Sequence, residues 1–147
     1  MKRAPLLTAA DEVLIPIQCE YLALEGLMQL INTIDLIKRR LNPALDVLGV
    51  VMTMYDARTR LSAQVVDEVR RYFPNRMFGT LVPRSVRLAE APSHGRSIFE
   101  YDPASRGALA YRELGEEVAA RLRLPAPGAD PAARETSSDG VPAFATD

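Results

Sequence analysis

Apolar residues along this chain alternate between two kinds of pattern. Three short unbroken runs, "EVLIPI" (12–17), "DVLGVVMTM" (46–54) and "RMFGTLV" (76–82), are too short for buried helices and rich in β-branched residues. They predict strands covered on both faces. Between and after them, apolar residues recur every three or four positions, the spacing of a helix with one buried stripe. "ALEGLMQLINTIDLIKRRL" places Leu24, Leu27, Ile31, Ile34 and Leu41 on such a stripe and ends in a basic turn before Asn42-Pro43. That ending suits the helix dipole, and a residue before proline leaves the helical region. "RLSAQVVDEVRRYF" repeats the pattern through Leu61, Val65, Val69 and Phe73, with Thr59 as its N-cap. "ASRGALAYRELGEEVAARLRL" predicts a last helix with Leu109, Leu114 and Val118 on one side. The segment "PRSVRLAEAPSHGRSIFEYDP" reads as loop, with a helical turn or two in "SVRLAEA".

Strands alternating with helices define an α/β protein: a small parallel sheet joined by helical crossovers and flanked by helices. The 147 residues suit one compact domain. Residues 8 to 124 carry all of this patterning. From Pro125 to Asp147 the chain turns to Pro, Ala, Gly and Ser with few large apolar side chains. Such a segment buries too little surface to offset its ordering entropy, and a disordered tail is expected there.

Charge divides along the same line. Residues 1–124 hold 17 Lys and Arg against 15 Asp and Glu, whereas the last 23 hold 1 against 4. The basic residues are almost all arginine, Lys2 and Lys38 being the two lysines. In open parallel sheets, ligands bind beyond the carboxyl ends of the strands. The loops expected there are "QCEYLALEG", "YDARTRL" and "PRSVRLAEAPSHG", and the last two supply Arg58, Arg60, Arg84, Arg87 and Arg96. A guanidinium fork offers paired donors to anionic oxygens, so these arginines suit phosphate. The pattern alone fits a solvated polar rim equally well.

Several chemistries lack their residues. A phosphate-cradling loop needs G-x-x-x-x-G-K-[ST], and neither lysine follows a glycine. One cysteine, Cys19, and one histidine, His94, supply neither a disulfide nor a zinc site within the chain, and Cys19 is expected as a half-buried packing residue. Ser93 and His94 are adjacent, so their side chains point apart and make no catalytic dyad. The acidic pairs Asp67-Glu68 and Glu116-Glu117 read as solvated helix faces. No apolar run approaches the roughly 20 residues of a membrane helix.

Three long strings carry a more specific signal: "ADEVLIPIQCEYLALEGLMQLINTIDLIKRRLNP", "GVVMTMYDARTRLSAQVVDEVRRYF" and "VPRSVRLAEAPSHGRSIFEYDPASRGALAYRELGEEV". They closely resemble the C-terminal half of ParA/Soj-type chromosome-partitioning ATPases, which have a deviant-Walker P-loop fold. The family's K-G-G-x-G-K-T-[TS] loop and the D-x-P-P that ends its Walker B strand are absent from these residues. The resemblance implies the second half of an ATPase domain, unable to hydrolyse ATP by itself and binding ATP with magnesium weakly or not at all. In the family, arginines on these loops bind DNA without sequence specificity. The matching positions are Arg58 and Arg87, with Arg60, Arg84 and Arg96 as secondary candidates. Met54, Pro83 and Arg84 correspond to the adenine side of the family's nucleotide pocket. The implied partners are nucleoid DNA, a ParB-like centromere-binding protein, and a second ParA-type chain in a homodimer or a heterodimer with a full-length relative. The implied location is the cytoplasm, on the nucleoid.

A second reading is an interaction module without catalysis, or a remnant, that pairs with a full-length ParA-like ATPase through an open sheet edge. A MinD-like membrane role fits less well, because the polar, acidic stretch from Pro125 is no amphipathic membrane helix.

Overall fold

In the computed structural model, which describes residues 5–124, the expected alternation folds as a three-stranded sheet with helices on both faces. A short helix absent from the sequence reading, α1 (Pro5–Ala9), precedes β1 (Glu12–Gln18). There follow α2 (Ala23–Arg40), β2 (Asp46–Tyr55), α3 (Arg60–Tyr72) and β3 (Met77–Pro83). The chain ends in α4 (Val86–Ser93), α5 (Ile98–Tyr101) and α6 (Arg106–Arg121). Strand order is β1-β2-β3, and both pairings are parallel. The expected tail from Pro125 lies outside the described residues.

Each face of the sheet has its own core. Ile15, Ile17, Val50 and Met52 point to one side, against Leu27, Ile34 and Ile37 of α2 and Val65, Val66 and Val69 of α3. Two crossovers of the same hand, stepping across the sheet in one direction, place both helices on one face. Val51, Phe78 and Val82 point to the other side, where Leu114 of α6 covers them together with the partly buried Leu88 and Val118. This alternation is the two-residue period of a strand covered on both faces.

The buried stripes differ in detail from those expected. Leu41 is 61% exposed and stands beyond the end of α2, while Ile37 takes the inward position one turn earlier. Leu61 and Leu109 flank their helices' buried lines on the exposed side. Phe73, at the C-cap of α3, is partly buried against the same core. Cys19 is buried rather than half-buried, and that burial pushes its thiol pKa up to about 11. The segment read mostly as loop holds α4, where helical turns are expected in "SVRLAEA", and the unexpected single turn α5, fixed by a capping box between Ser97 and Glu100.

Glu117 is no solvated carboxylate. It accepts the backbone N–H groups of Gly79 (2.8 Å) and Thr80 (2.7 Å), and the Thr80 hydroxyl donates to it as well. These bonds fall where the β2–β3 register slips between Val50↔Met77 and Met52↔Leu81. Two amides that the slip leaves without a strand partner are thereby satisfied.

Candidate nucleic-acid interface at the strand ends

β2 ends in a tight, self-bonded turn. Met54 adopts φ 55°, a left-handed conformation that costs a non-glycine residue on the order of 1 kcal/mol. Asp56 then organises the loop: its Oδ1 accepts the Arg58 backbone N–H at 3.0 Å, and its carbonyl accepts the Thr59 N–H at 3.0 Å. Thr59 caps α3 as expected, its hydroxyl accepting from the Ser62 N–H. Ser62 is buried, and its hydroxyl accepts the Asp56 N–H at 3.3 Å. The loop therefore presents Arg58 from a fixed backbone.

The Arg58 guanidinium lies flat against the Asp56 carboxylate, with Nε 2.9 Å from Oδ1 and Nη2 2.8 Å from Oδ2. This fork-to-fork contact, with the Arg58 N–H and the Arg84 charge behind it, lowers the Asp56 pKa to about 2. Asp56 is thus ionised throughout the neutral range. Arg58 remains 88% exposed, and Nη1 is turned away from the carboxylate. The ion pair orients the fork without burying it.

Next to it, β3 delivers Pro83 and Arg84. The Arg84 N–H donates to the Tyr55 carbonyl at 2.9 Å, tying the two strand ends together, and its Nη2 reaches Glu20 at 3.3 Å in the loop after β1. Tyr55, Asp56, Ala57, Arg58, Pro83, Arg84 and Arg106 line one hollow of about 250 Å³. Three arginines from three segments therefore converge at the carboxyl end of the sheet. Arg106 escapes a reading of the sequence because it opens α6, far along the chain. Glu20, the carboxylate that steadies Arg84, escapes it for the same reason.

The other candidates lie apart from this hollow. Arg87, on the first turn of α4, pairs with Glu90 (3.1 Å) and approaches Asp102 (3.5 Å), while the Tyr101 hydroxyl donates to the same Glu90 at 3.1 Å. Arg60 begins α3 and Arg96 follows Gly95; both are exposed, and no ion pair holds either among the described residues. Of the three residues expected on the adenine side, Pro83 and Arg84 line the hollow and Met54 does not. His94 stacks on Tyr101 with ring centroids 5.0 Å apart, and the Ser93 hydroxyl donates to the Glu90 carbonyl. Among the described residues, no group of three or more His, Cys, Asp or Glu side chains is placed to hold a metal ion.

A parallel sheet covered by helices on both faces, with its polar residues gathered beyond the strand ends, is an α/β architecture and here part of a P-loop NTPase-like fold. Its solved likenesses include cobyrinic acid a,c-diamide synthase from Mycobacterium smegmatis with bound ATP analog and magnesium. That match has 34% identity and a TM-score of 0.58 over 80% of this chain and 39% of that one. A family model described as an AAA domain matches residues 3–47. Sporulation initiation inhibitor protein Soj of Bacillus subtilis is 57% identical over 114 residues, 78% of this chain and 45% of its own length. Chromosome partitioning protein ParA of Myxococcus xanthus is 54% identical over 115 residues, 41% of its length. Over these residues the chain is of ParA/Soj type, matching part of the chromosome-partitioning proteins so named. It spans just under half the length of the curated relatives it matches.

Proposed function

We propose that this chain acts in DNA segregation as a ParA-type, sequence-independent DNA-binding unit that does not hydrolyse ATP by itself. The observation that carries the reading is the cationic rim at the strand ends, above all Arg58, held outward by Asp56 with most of its guanidinium in water. DNA phosphates are read through charge, and an arginine whose guanidinium stays in water, with a single carboxylate beside it, can turn its free donors to a phosphate. Arg87 contributes from α4, with Arg60, Arg84 and Arg96 adding to the field. The reading places the chain on the nucleoid in the cytoplasm, working with a ParB-like partner and a second ParA-type chain.

The hollow at Pro83 and Arg84 fits the base side of a nucleotide. The phosphate side does not fit: the 147 residues contain no G-x-x-x-x-G-K-[ST] loop. Weak nucleotide binding and no magnesium-dependent turnover are expected of this chain alone. Titrating non-specific duplex DNA with the chain and with an Arg58→Glu, Arg87→Glu double variant tests the main reading. A salt-sensitive shift that disappears in the variant supports it, and undiminished binding by the variant removes the DNA assignment.

A further inference from the structure

The helices α2, α3 and α6 all end at the amino end of the sheet, each in a basic turn. α2 closes with Lys38, Arg39 and Arg40, α3 with Arg70 and Arg71, and α6 with Arg121, which Arg123 follows. Cations there suit the helix dipoles. They also exceed what the fold uses. Arg70 and Arg71 pair within α3, with Asp67 and Glu68, while Lys38 (3.2 Å) and Arg76 (3.0 Å) share the single carboxylate of Asp46. Arg39, Arg40 and Arg123 are exposed, and no ion pair holds them among the described residues.

Between the ends of α2 and α3 lies a hollow of about 460 Å³. Ile31, Val47 and Phe73, each partly buried, give it an apolar floor, and Tyr72 stands 61% exposed at its side. Lys38, Arg76 and Asp35 are among its charged groups. A neighbouring hollow shares Asp46, Val47, Asn75 and Arg76 with it and reaches Arg121 in the last turn of α6. A continuous depression, apolar below and largely cationic along its sides, therefore leads away from the place where α6 gives out.

We propose that the segment "DGVPAFATD" (139–147) of this same chain docks in the hollow, with Pro142 and Phe144 on the apolar floor and its carboxylates toward the surplus arginines. Residues 125–147 carry four acidic side chains against the one cation Arg134, opposite in sign to the surface they would meet. Phe144 is their one aromatic residue, and in an extended segment it shares a side with Pro142, two positions before it. These residues bury too little surface to fold by themselves, and a preformed apolar floor supplies what they lack. A flexible stretch of about 20 residues, the interval from Leu124 to Phe144, spans roughly 25 Å and passes readily around the end of the sheet. Such a tether presents the segment at millimolar effective concentration, whereas a second copy offers it only at the bulk concentration of the protein. The proposal stands apart from the DNA reading: docked here, the carboxylates lie at the opposite end of the sheet from Arg58.

The chain contains no tryptophan, so Phe144→Trp in the full 147 residues provides a lone fluorophore. Its emission should be blue-shifted from that of a free peptide of residues 135–147 with the same substitution. Acrylamide quenching should be lower than in the peptide by at least about two-fold, the value for a millimolar contact half occupied at millimolar effective concentration. Adding Tyr72→Glu and Arg40→Glu, both at exposed side chains, should return emission and quenching to those of the peptide while circular dichroism shows the fold retained. Arg58→Glu, at the other end of the sheet, should change neither. Peptide-like emission in the Phe144→Trp chain, a signal indifferent to the Tyr72→Glu, Arg40→Glu pair, loss of the signal through Arg58→Glu, or a blue shift that grows with protein concentration would each overturn the proposal.

Discussion

Arg121 and Arg58 stand at opposite ends of one sheet, and their surroundings differ in kind. At the amino end, Arg121 donates to the carbonyls of Leu48 (3.0 Å), Arg76 and Met77, and its guanidinium lies 3.7 Å from the centroid of Phe78, the largest fully buried side chain. Arg76 joins it there, bonding the Val47 carbonyl and the Asp46 carboxylate. At the carboxyl end, the side chains of Arg58, Arg84 and Arg87 hold only carboxylates that water also reaches. The difference separates two uses of one residue type. An arginine whose donors are spent on backbone carbonyls belongs to the fold. One whose guanidinium stays largely in water beside a carboxylate can turn to a phosphate.

Breaking the amino-end group should have the largest effect on stability. Arg121→Ala strips hydrogen bonds from three carbonyls and a cation–π contact from Phe78, and should cost about 2–4 kcal/mol, read from the urea midpoint. Arg121→Lys should recover only part of this, since an ammonium cannot fork between carbonyls.

Glu117 comes next. Burial works against its charge, but the Thr80 hydroxyl, the Gly79 and Thr80 amides and the Arg121 charge outweigh it and hold its pKa below the ordinary glutamate value. A carboxyl depressed in the folded state stabilises the fold fully above its unfolded pKa of about 4.3. That contribution is lost as pH falls below this value and through the folded pKa. Glu117→Gln should cost about 1–2 kcal/mol at neutral pH and flatten this acid limb of the stability–pH curve. An acid limb of unchanged slope in the variant would contradict the assignment.

At the other end of the sheet, Arg58→Ala should leave the urea midpoint unchanged, because an ion pair so exposed adds little to folding. A destabilisation matching that of Arg121→Ala would erase the distinction between the two ends.

How much of this is legible in the sequence follows from what each signal encodes. The strands stand out because a run such as "DVLGVVMTM" buries both faces and leaves no polar break. The Thr59 cap is legible because it needs only local chain geometry. Steps of three, four or seven put Leu41, Leu61 and Leu109 on buried stripes, yet they do not fix where a helix ends or which flank faces the core. α5 escapes because one turn has no period to read. Glu117 looks like half of a solvated pair, since its partners at Gly79 and Thr80 lie 38 and 37 residues away and arise from a register slip that no local pattern announces. The rim follows the same rule. Arg58 and Arg84 can be placed at strand ends from sequence, whereas Arg106 and Glu20 join them only through the fold.

The most direct measurement is the salt dependence of binding to non-specific duplex DNA, compared between the unaltered chain and Arg58→Ala. Removing one arginine–phosphate pairing should reduce the slope of log K against log salt by about 0.9. Binding should weaken steeply with salt, with a slope shallower by about that amount in the variant and folding stability unaltered. Equal slopes and equal affinities for the two proteins would contradict it.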